Sequence, residues 1–304
     1  MLIGAGDDAA VLSAPDGRVV ATTDMLIEDR HFRRAWSSPG DIGRKAAARN
    51  LADVAAMGAV PTALLVAFAG PGDLMADWVL ELVDGIAAEC ATVGAAVAGG
   101  DTSSADTIML AVTALGDLRG AAPGTRSGAT ADDVIAVTGT LGAAAAGLAL
   151  LRAGIGRADA GQTPAEMAAL VRAHQRPIPP YQAGPQAAVL GATSMIDVSD
   201  GLVADLSHLA RASRVRLELH SSLVAAEPIA PVAALRAAGR AIGQPAWENW
   251  VLAGGDDHAL VATFPPDVVL PPHWVPVGKV GAGEGVLIDG REWTAAGGWE
   301  HFRA

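Results

Sequence analysis

The sequence is poor in positive charge, aromatic rings and cysteine. Lysine occurs only as Lys45 and Lys279, so no lysine cluster is at hand to hold phosphates. Lys+Arg is 21 against Asp+Glu 33, a formal net charge of -12, which disfavours non-specific attraction to nucleic acid or to an anionic membrane. One cysteine, Cys90, excludes an intrachain disulfide and a cysteine-rich zinc site. Within an apparent amphipathic helix it reads as a small buried hydrophobe. Aromatics are 4% while hydrophobic residues are 51%, so the chain is globular and its core is built from alanine, valine and leucine. No G-x-x-x-x-G-K, G-x-S-x-G or H-E-x-x-H spacing occurs, which excludes P-loop, serine-elbow and zincin chemistries on motif grounds. The uncharged stretch from Val54 to Gly72 is broken by Gly58 and Pro61 into a helix end and a strand, not a membrane span. The start lacks a basic segment followed by an apolar one, so the reading expects no signal peptide and a cytoplasmic location.

The 304 residues are enough for two domains of ordinary size. The pattern predicts strands over 19–24, 62–68 and 107–115. Between them it predicts a helix from about Ile42 to Met57 with Asp41 as N-cap, and a second over 74–93 ended by Gly94. Residues 95–98 read as a strand that stops at a turn, Gly99-Gly100-Asp101. Composition shifts to Gly, Pro, Ser, Thr and charges over 116–133, the best linker, so the expected domains are 1–118 and 119–304. Beyond the linker the pattern gives strands over 133–138, 193–198, 215–219, 258–264, 274–280 and 285–288. Helices fall over 143–152, 164–174 and 202–212, with a mostly helical stretch over 228–252. This alternation is α/β.

The chemistry lies in the aspartates. Ala-Gly-Gly-Asp occurs at 98–101 and again at 253–256, each time beside an apolar strand. Asp8, Asp24, Asp53, Asp197 and Asp200 mostly end apolar runs beside Gly, Ser or Thr. A single such aspartate is a turn residue or a helix cap; so many suggest a site lined with carboxylates. Carboxylates held together repel unless they protonate or bind cations. Hard oxygen ligands select Mg²⁺ or Ca²⁺. Mg²⁺ in particular is held by a few carboxylates plus substrate phosphates, so an acidic protein can bind a nucleotide. Lys45, Arg49, Asn50 and Asp53 make a polar stripe on the 42–57 helix, either a solvated face or part of this site. Gly4, Gly6 and Ala9 match a dinucleotide-binding spacing only weakly, because no strand precedes them.

An ordered set of motifs resembles the thiamine-monophosphate kinase family. It comprises Thr22-Thr23-Asp24, His31-Phe32, Asn50-Leu-Ala-Asp53-Val-Ala-Ala-Met-Gly58, Gly99-Gly100-Asp101-Thr102, Thr125-Arg126-Ser127-Gly128, Val137-Thr-Gly-Thr-Leu-Gly142, Ile196-Asp197-Val-Ser199-Asp200-Gly201-Leu202, Gly254-Gly-Asp256-Asp257 and Gly298-Trp299-Glu-His-Phe302. The resemblance implies the α/β (α+β) two-domain fold of aminoimidazole ribonucleotide synthetase, with N-terminal sheets pairing in a homodimer. It implies a direct, in-line transfer from ATP to thiamine monophosphate with several Mg²⁺ ions, and it leaves a monovalent cation requirement open. By the same resemblance Asp8, Asp24, Asp53, Asp101, Asp197 and Asp200 ligate Mg²⁺ with Thr22 and Thr23, and Asp53, Asp101 and Asp197 are the catalytic set. Gly100, Asp101, Arg126 and Ser199 contact ATP, and His31, Asp256 and Trp299 contact thiamine phosphate. Arg126 suits a phosphate, and Trp299 offers a ring face to a cationic thiazolium.

Three positions depart from the family pattern. Asp256 stands where a glutamate is usual, and His258-Ala259 replaces an aromatic-acid pair; both were expected to fall on the acceptor side of the site. The sequence also begins almost at Gly4, where family members carry a further segment. Two other readings remain at this point. One is an ATP-using enzyme of the same superfamily with a different small acceptor; the other is a non-catalytic nucleotide or cation sensor.

Overall fold

The computed structural model describes residues 12–157 and 161–293. The chain divides into two compact units, Met1–Pro123 and Gly124–Ala304.

In the first unit the order is β1 (Val20–Ile27), α1 (Pro39–Ala56), β2 (Val60–Gly70), α2 (Ala76–Val93), β3 (Ala96–Ser104) and β4 (Met109–Asp117). The four strands form one sheet in the order β1-β4-β2-β3. Only β2 and β3 run parallel. Alternation along the strands sends Leu26, Leu64, Leu110, Val112 and Ala114 into the core under the helices. The other face keeps Met25 46% and Leu65 38% exposed.

Helix α1 begins three residues earlier than the sequence suggested. Ser38 is its N-cap and accepts from the Asp41 amide at 3.1 Å, while its own hydroxyl donates to the Asp41 carboxylate at 2.9 Å. Ser38 is therefore a side-chain N-cap followed by proline in the first turn, and Asp41 sits inside the helix. The two helices touch through glycine: a Cβ on Gly43 would lie 2.0 Å from the Leu82 carbonyl, and one on Gly85 2.2 Å from the Gly40 carbonyl. Arg44 donates to Glu89 at 3.1 Å across the same contact.

The second unit continues with β5 (Val134–Thr138), α3 (Ala143–Arg152), α4 (Ala165–Gln175), α5 (Ala183–Val189), β6 (Ser194–Val198), α6 (Leu202–Ser213), β7 (Arg216–Leu219), α7 (Ser221–Val224), α8 (Val232–Ala241), α9 (Glu248–Ala253), β8 (Ala259–Phe264), β9 (Val275–Gly281), β10 (Gly285–Ile288) and β11 (Arg291–Glu292). Its seven strands lie in the order β11-β10-β7-β9-β5-β8-β6. β6 and β8 are buried along their whole length, which is why they read as largely apolar stretches rather than alternating ones, with Ser194, Asp197 and Thr263 as buried polar exceptions. The stretch 228–252 is two helices, α8 and α9, parted by Gly243 at positive φ and by Pro245. The short helices α5 and α7 carry too few turns to show a period, and the sequence did not reveal them.

Replacing Gly43 by alanine gains up to about 1 kcal/mol of helix propensity. It also forces an overlap with a backbone atom, which costs roughly 1–3 kcal/mol or more. Denaturant unfolding of Gly43→Ala is expected to show a net loss of stability; equal or greater stability would mean the α1–α2 contact is looser than described.

Candidate active site

In the first unit the sequence-predicted residues of β1 and α1 meet. Thr22 Oγ1 donates to Asp53 Oδ2 at 2.9 Å. Two residues along β1, on the same face, Asp24 accepts from Arg49 Nε at 3.2 Å. The Asp24 backbone amide donates to Asn50 Oδ1 at 3.0 Å. Asn50 is completely buried and donates its own amide to the Ala46 carbonyl at 2.9 Å. The polar stripe of α1 is therefore no solvated face: Lys45 and Asn50 are buried, and Arg49 and Asn50 face β1. Thr23 lies on the opposite face and donates to the Val112 carbonyl at 3.0 Å.

Asp101 is elsewhere on the sheet. The expected turn at Gly99-Gly100-Asp101 is strand: β3 continues to Ser104. It does so across a register shift between Leu64 and Leu65, whose partners are Val97 and Gly99. Glycine permits this, because a Cβ on Gly100 would lie 1.9 Å from the Val66 carbonyl. Asp24 pairs with Val112, Val112 with Val66 and Val66 with Gly100. Asp24 and Gly100 thus occupy opposite edges of the sheet, roughly 14 Å apart at the usual strand spacing. Asp101 follows on the other face. Asp8 and the Gly4–Ala9 spacing lie outside the described residues, as does Trp299. His31 sits in the turn after β1, where its Nδ1 accepts from the Ile27 amide at 3.0 Å. That bond leaves the proton of the neutral ring on Nε2.

In the second unit Asp197 ends β6, almost fully buried, and its Oδ2 lies 3.1 Å from His258 Nδ1. His258, 1% exposed, therefore falls beside a prospective metal ligand. The departure at 258 thus lies against Asp197 in the fold. Ser199, Asp200 and Gly201 form the turn into α6. Their three amides all donate to one oxygen, Asp205 Oδ2, at 3.1, 3.0 and 3.1 Å. Burial pushes the Asp205 carboxyl up to about 8, with the charges of Asp197 and Asp200 adding to it and the Asp200 and Gly201 amides pulling it back. The turn's carbonyl side is held too: Ser199 O accepts from the Asp256 amide at 2.8 Å, and Val198 O from the His258 amide at 2.9 Å.

The two copies of Ala-Gly-Gly-Asp are thus not alike. The second follows α9 as a loop, with Asp256 and His258 both at positive φ. There a Cβ on Gly255 would press to 2.5 Å on the Ser199 carbonyl. Asp256 Oδ2 lies 3.9 Å from Nδ1 of the buried His174 on α4. Asp257 is buried and accepts from the Gly142 and Ala144 amides at 2.6 and 2.8 Å, capping α3. Burial pushes its carboxyl up to about 7, partly offset by those two amides. Arg126 is exposed; its carbonyl accepts from Ser213 Oγ at 2.9 Å, which fixes the backbone beneath the side chain.

Among the described residues no three acidic, histidine or cysteine side chains stand together as a ready metal site. Three of the candidate ligands have a polar partner beside them instead: Thr22 for Asp53, Arg49 for Asp24 and His258 for Asp197. That is how carboxylates are accommodated without a cation. The sequence reading placed Asn50 in the polar stripe of α1 but missed His174, Asp205 and Asp257 as parts of this framework. A carboxylate inside the apolar pattern of α6 was the visible signal for Asp205. Cys90 is buried and its thiol is pushed up to about 12, consistent with a packing role.

Comparison with known proteins follows this geometry. A family model described as AIR synthase related protein, N-terminal domain, matches residues 6–118. The thiamine-monophosphate kinase of Mycobacterium tuberculosis is 49% identical over 303 residues, 99% of this chain and 86% of its own length. Among solved structures, AaThiL complexed with AMPPCP and TMP superposes with a TM-score of 0.85 at 31% identity, covering 97% of this chain and 91% of that one. The thiamine-monophosphate kinase of Stenotrophomonas maltophilia gives 0.84 at 34% identity, with 96% and 92% covered.

Asp257 holds its proton to a higher pH in the folded chain than the usual 3.8. The folded state therefore binds more protons between about pH 4 and 7, and stability falls as pH rises through that window. Asp257→Asn removes this titration. The stability of wild type minus that of the variant, from urea unfolding, is expected to decline from pH 4.5 to 7 and level above it, with a slope no steeper than about 1.4 kcal/mol per pH unit. A difference that stays flat over this range would mean the buried carboxyl is ionised throughout.

The identity and coverage of these relatives place the chain in the thiamine-monophosphate kinase family.

Proposed function

We propose that this chain transfers the γ-phosphoryl group of ATP to the phosphate of thiamine monophosphate, giving ADP and thiamine diphosphate. The observation that carries the reading is the likeness over nearly the whole chain to a solved relative complexed with AMPPCP and TMP. The transfer breaks the bond between the γ-phosphorus and the β–γ bridging oxygen, and forms one to a phosphate oxygen of the acceptor. It needs no covalent enzyme intermediate, only positioning and charge neutralisation.

The donors present fit Mg²⁺: Thr22, Asp24 and Asp53 in the first unit and Asp197, Ser199 and Asp200 in the second offer oxygen. When bound, Mg²⁺ supplies the positive charge that a chain with so few lysines lacks. In this reading the first unit is the ATP- and Mg²⁺-binding domain. Thr22, Thr23, Asp24, Asp53, Asp101 and Asp8 act as ligands, and Gly100 and Asp101 contact the nucleotide. The second unit adds Asp197 and Asp200 as ligands, and Arg126 and Ser199 toward ATP. His31, Asp256 and Trp299 contact thiamine phosphate.

The reading includes a homodimer. The exposed Met25 and Leu65 on the uncovered sheet face support it, and a sedimentation mass of one 30.6 kDa chain would remove it. Among the described residues no helix is long and apolar enough to cross a membrane.

Incubation with ATP, Mg²⁺ and thiamine monophosphate is expected to yield thiamine diphosphate and ADP, and omission of Mg²⁺ to abolish both. A folded protein that yields neither sinks the proposal. Asp53→Asn and Asp101→Asn are each expected to lower kcat by at least about a hundredfold with an unchanged circular dichroism spectrum. Near-normal turnover in either removes that residue from the metal and nucleotide set.

A further inference from the structure

Three consecutive amides at the start of a helix ordinarily form a cradle for an anion. The N–H groups converge there and the helix dipole adds positive potential. Open α/β folds use such turns for phosphates. The Ser199–Gly201 turn has this construction: it leads from a buried strand, β6, into the twelve-residue helix α6. Yet its three amides already end on a single oxygen of Asp205, which is only 4% exposed. Asp205 stands in the first turn of α6 and reaches backward over the residues that precede the helix. The carbonyl side of the same turn is taken by the Asp256 and His258 amides. A Cβ on Gly201 would press to 2.8 Å on Ala253, and one on Gly255 to 2.5 Å on Ser199. The backbone from Val198 to Gly201 therefore has little left to offer a ligand; its side chains do.

We propose that Asp205 is the positioning residue that commits the β6–α6 turn to a cation: its carboxylate fills the amide cradle, so the turn engages Mg²⁺ through the Asp197, Ser199 and Asp200 side chains instead of binding phosphate through its amides. The proposal rests on the kinase reading above. A merely structural Asp205, offsetting the dipole of α6, would affect stability alone.

The experiment titrates Mg²⁺ against the full chain at fixed AMPPCP and follows nucleotide binding by calorimetry, with thermal unfolding in parallel. Asp205→Asn keeps the shape but exchanges one carboxyl oxygen for an amide group that cannot accept. It is expected to raise the Mg²⁺ midpoint at least about tenfold. Asp205→Glu, which restores the carboxyl group, is expected to recover part of that shift. A folded Asp205→Asn with an unchanged midpoint overturns the proposal, even if its melting temperature falls. Wild-type protein that binds no AMPPCP at any Mg²⁺ concentration overturns the kinase reading along with it. Should Asp205→Asn fail to fold, the wild type decides through its amide resonances. Those of Ser199, Asp200 and Gly201 are expected to exchange slowly and to stay unmoved by inorganic phosphate without Mg²⁺. Phosphate-induced shifts there would show a cradle open to anions and overturn the proposal.

Discussion

A carboxylate taken out of water must find donors where it is buried, and the second unit is arranged around two that do. Leaving such a buried group unmet costs roughly 1–3 kcal/mol, whereas each hydrogen bond to it contributes roughly 0.5–1.5 kcal/mol. Asp205 gathers three amides from the turn before α6, and Asp257 gathers two from the start of α3. Both turns flank motifs that the family resemblance singles out. Their backbone paths follow from the need to satisfy two side chains that never reach solvent. The raised pKa values of both groups measure how strongly burial competes with those amides.

The first unit meets the same constraint with a neutral side chain. Asn50 is enclosed between α1 and β1, and it bonds its own helix and the Asp24 amide. That clasp sets the register of the α1 side chains against the end of β1. Thr22 and Asp53 therefore meet, and Arg49 reaches Asp24. With so few aromatic residues, close backbone contact replaces bulk in the packing. The glycines of α1 and α2 let the helices approach until a methyl group would not fit. Rigidity of this kind suits an enzyme whose work is positioning rather than covalent chemistry.

Much of the fold was legible because its signals are local. The hydroxyls and carboxylate of β1, α1 with its closing Gly58, and the largely apolar β6 and β8 each declare themselves within a few residues, although β1 runs on past Asp24 to Ile27. The donors Thr22, Asp24 and Asp53 were legible for the same reason, and so was the oxygen-only character of the proposed site. What stayed hidden is non-local. Ser38 rather than Asp41 caps α1, a local exception, because the cap is set by which side chain reaches which amide. The Gly99-Gly100 pair became strand because β2 lies beside it to be paired with. The identical Ala-Gly-Gly-Asp at 253–256 became a loop because it lies against the turn at Val198–Asp200. The contact of His258 with Asp197 was hidden because it joins two segments far apart in the chain.

The sequence by itself determined the α/β class, the acidic oxygen-donor chemistry and the family, since period, composition and ordered motifs all reside along the chain. Only the tertiary structure decided which carboxylates are buried to hold backbone and which stand among the candidate ligands. An aspartate has the same composition and propensity in either setting. What separates Asp205 from Asp200 is three amides brought onto one oxygen by the fold, and no spacing in the sequence records that.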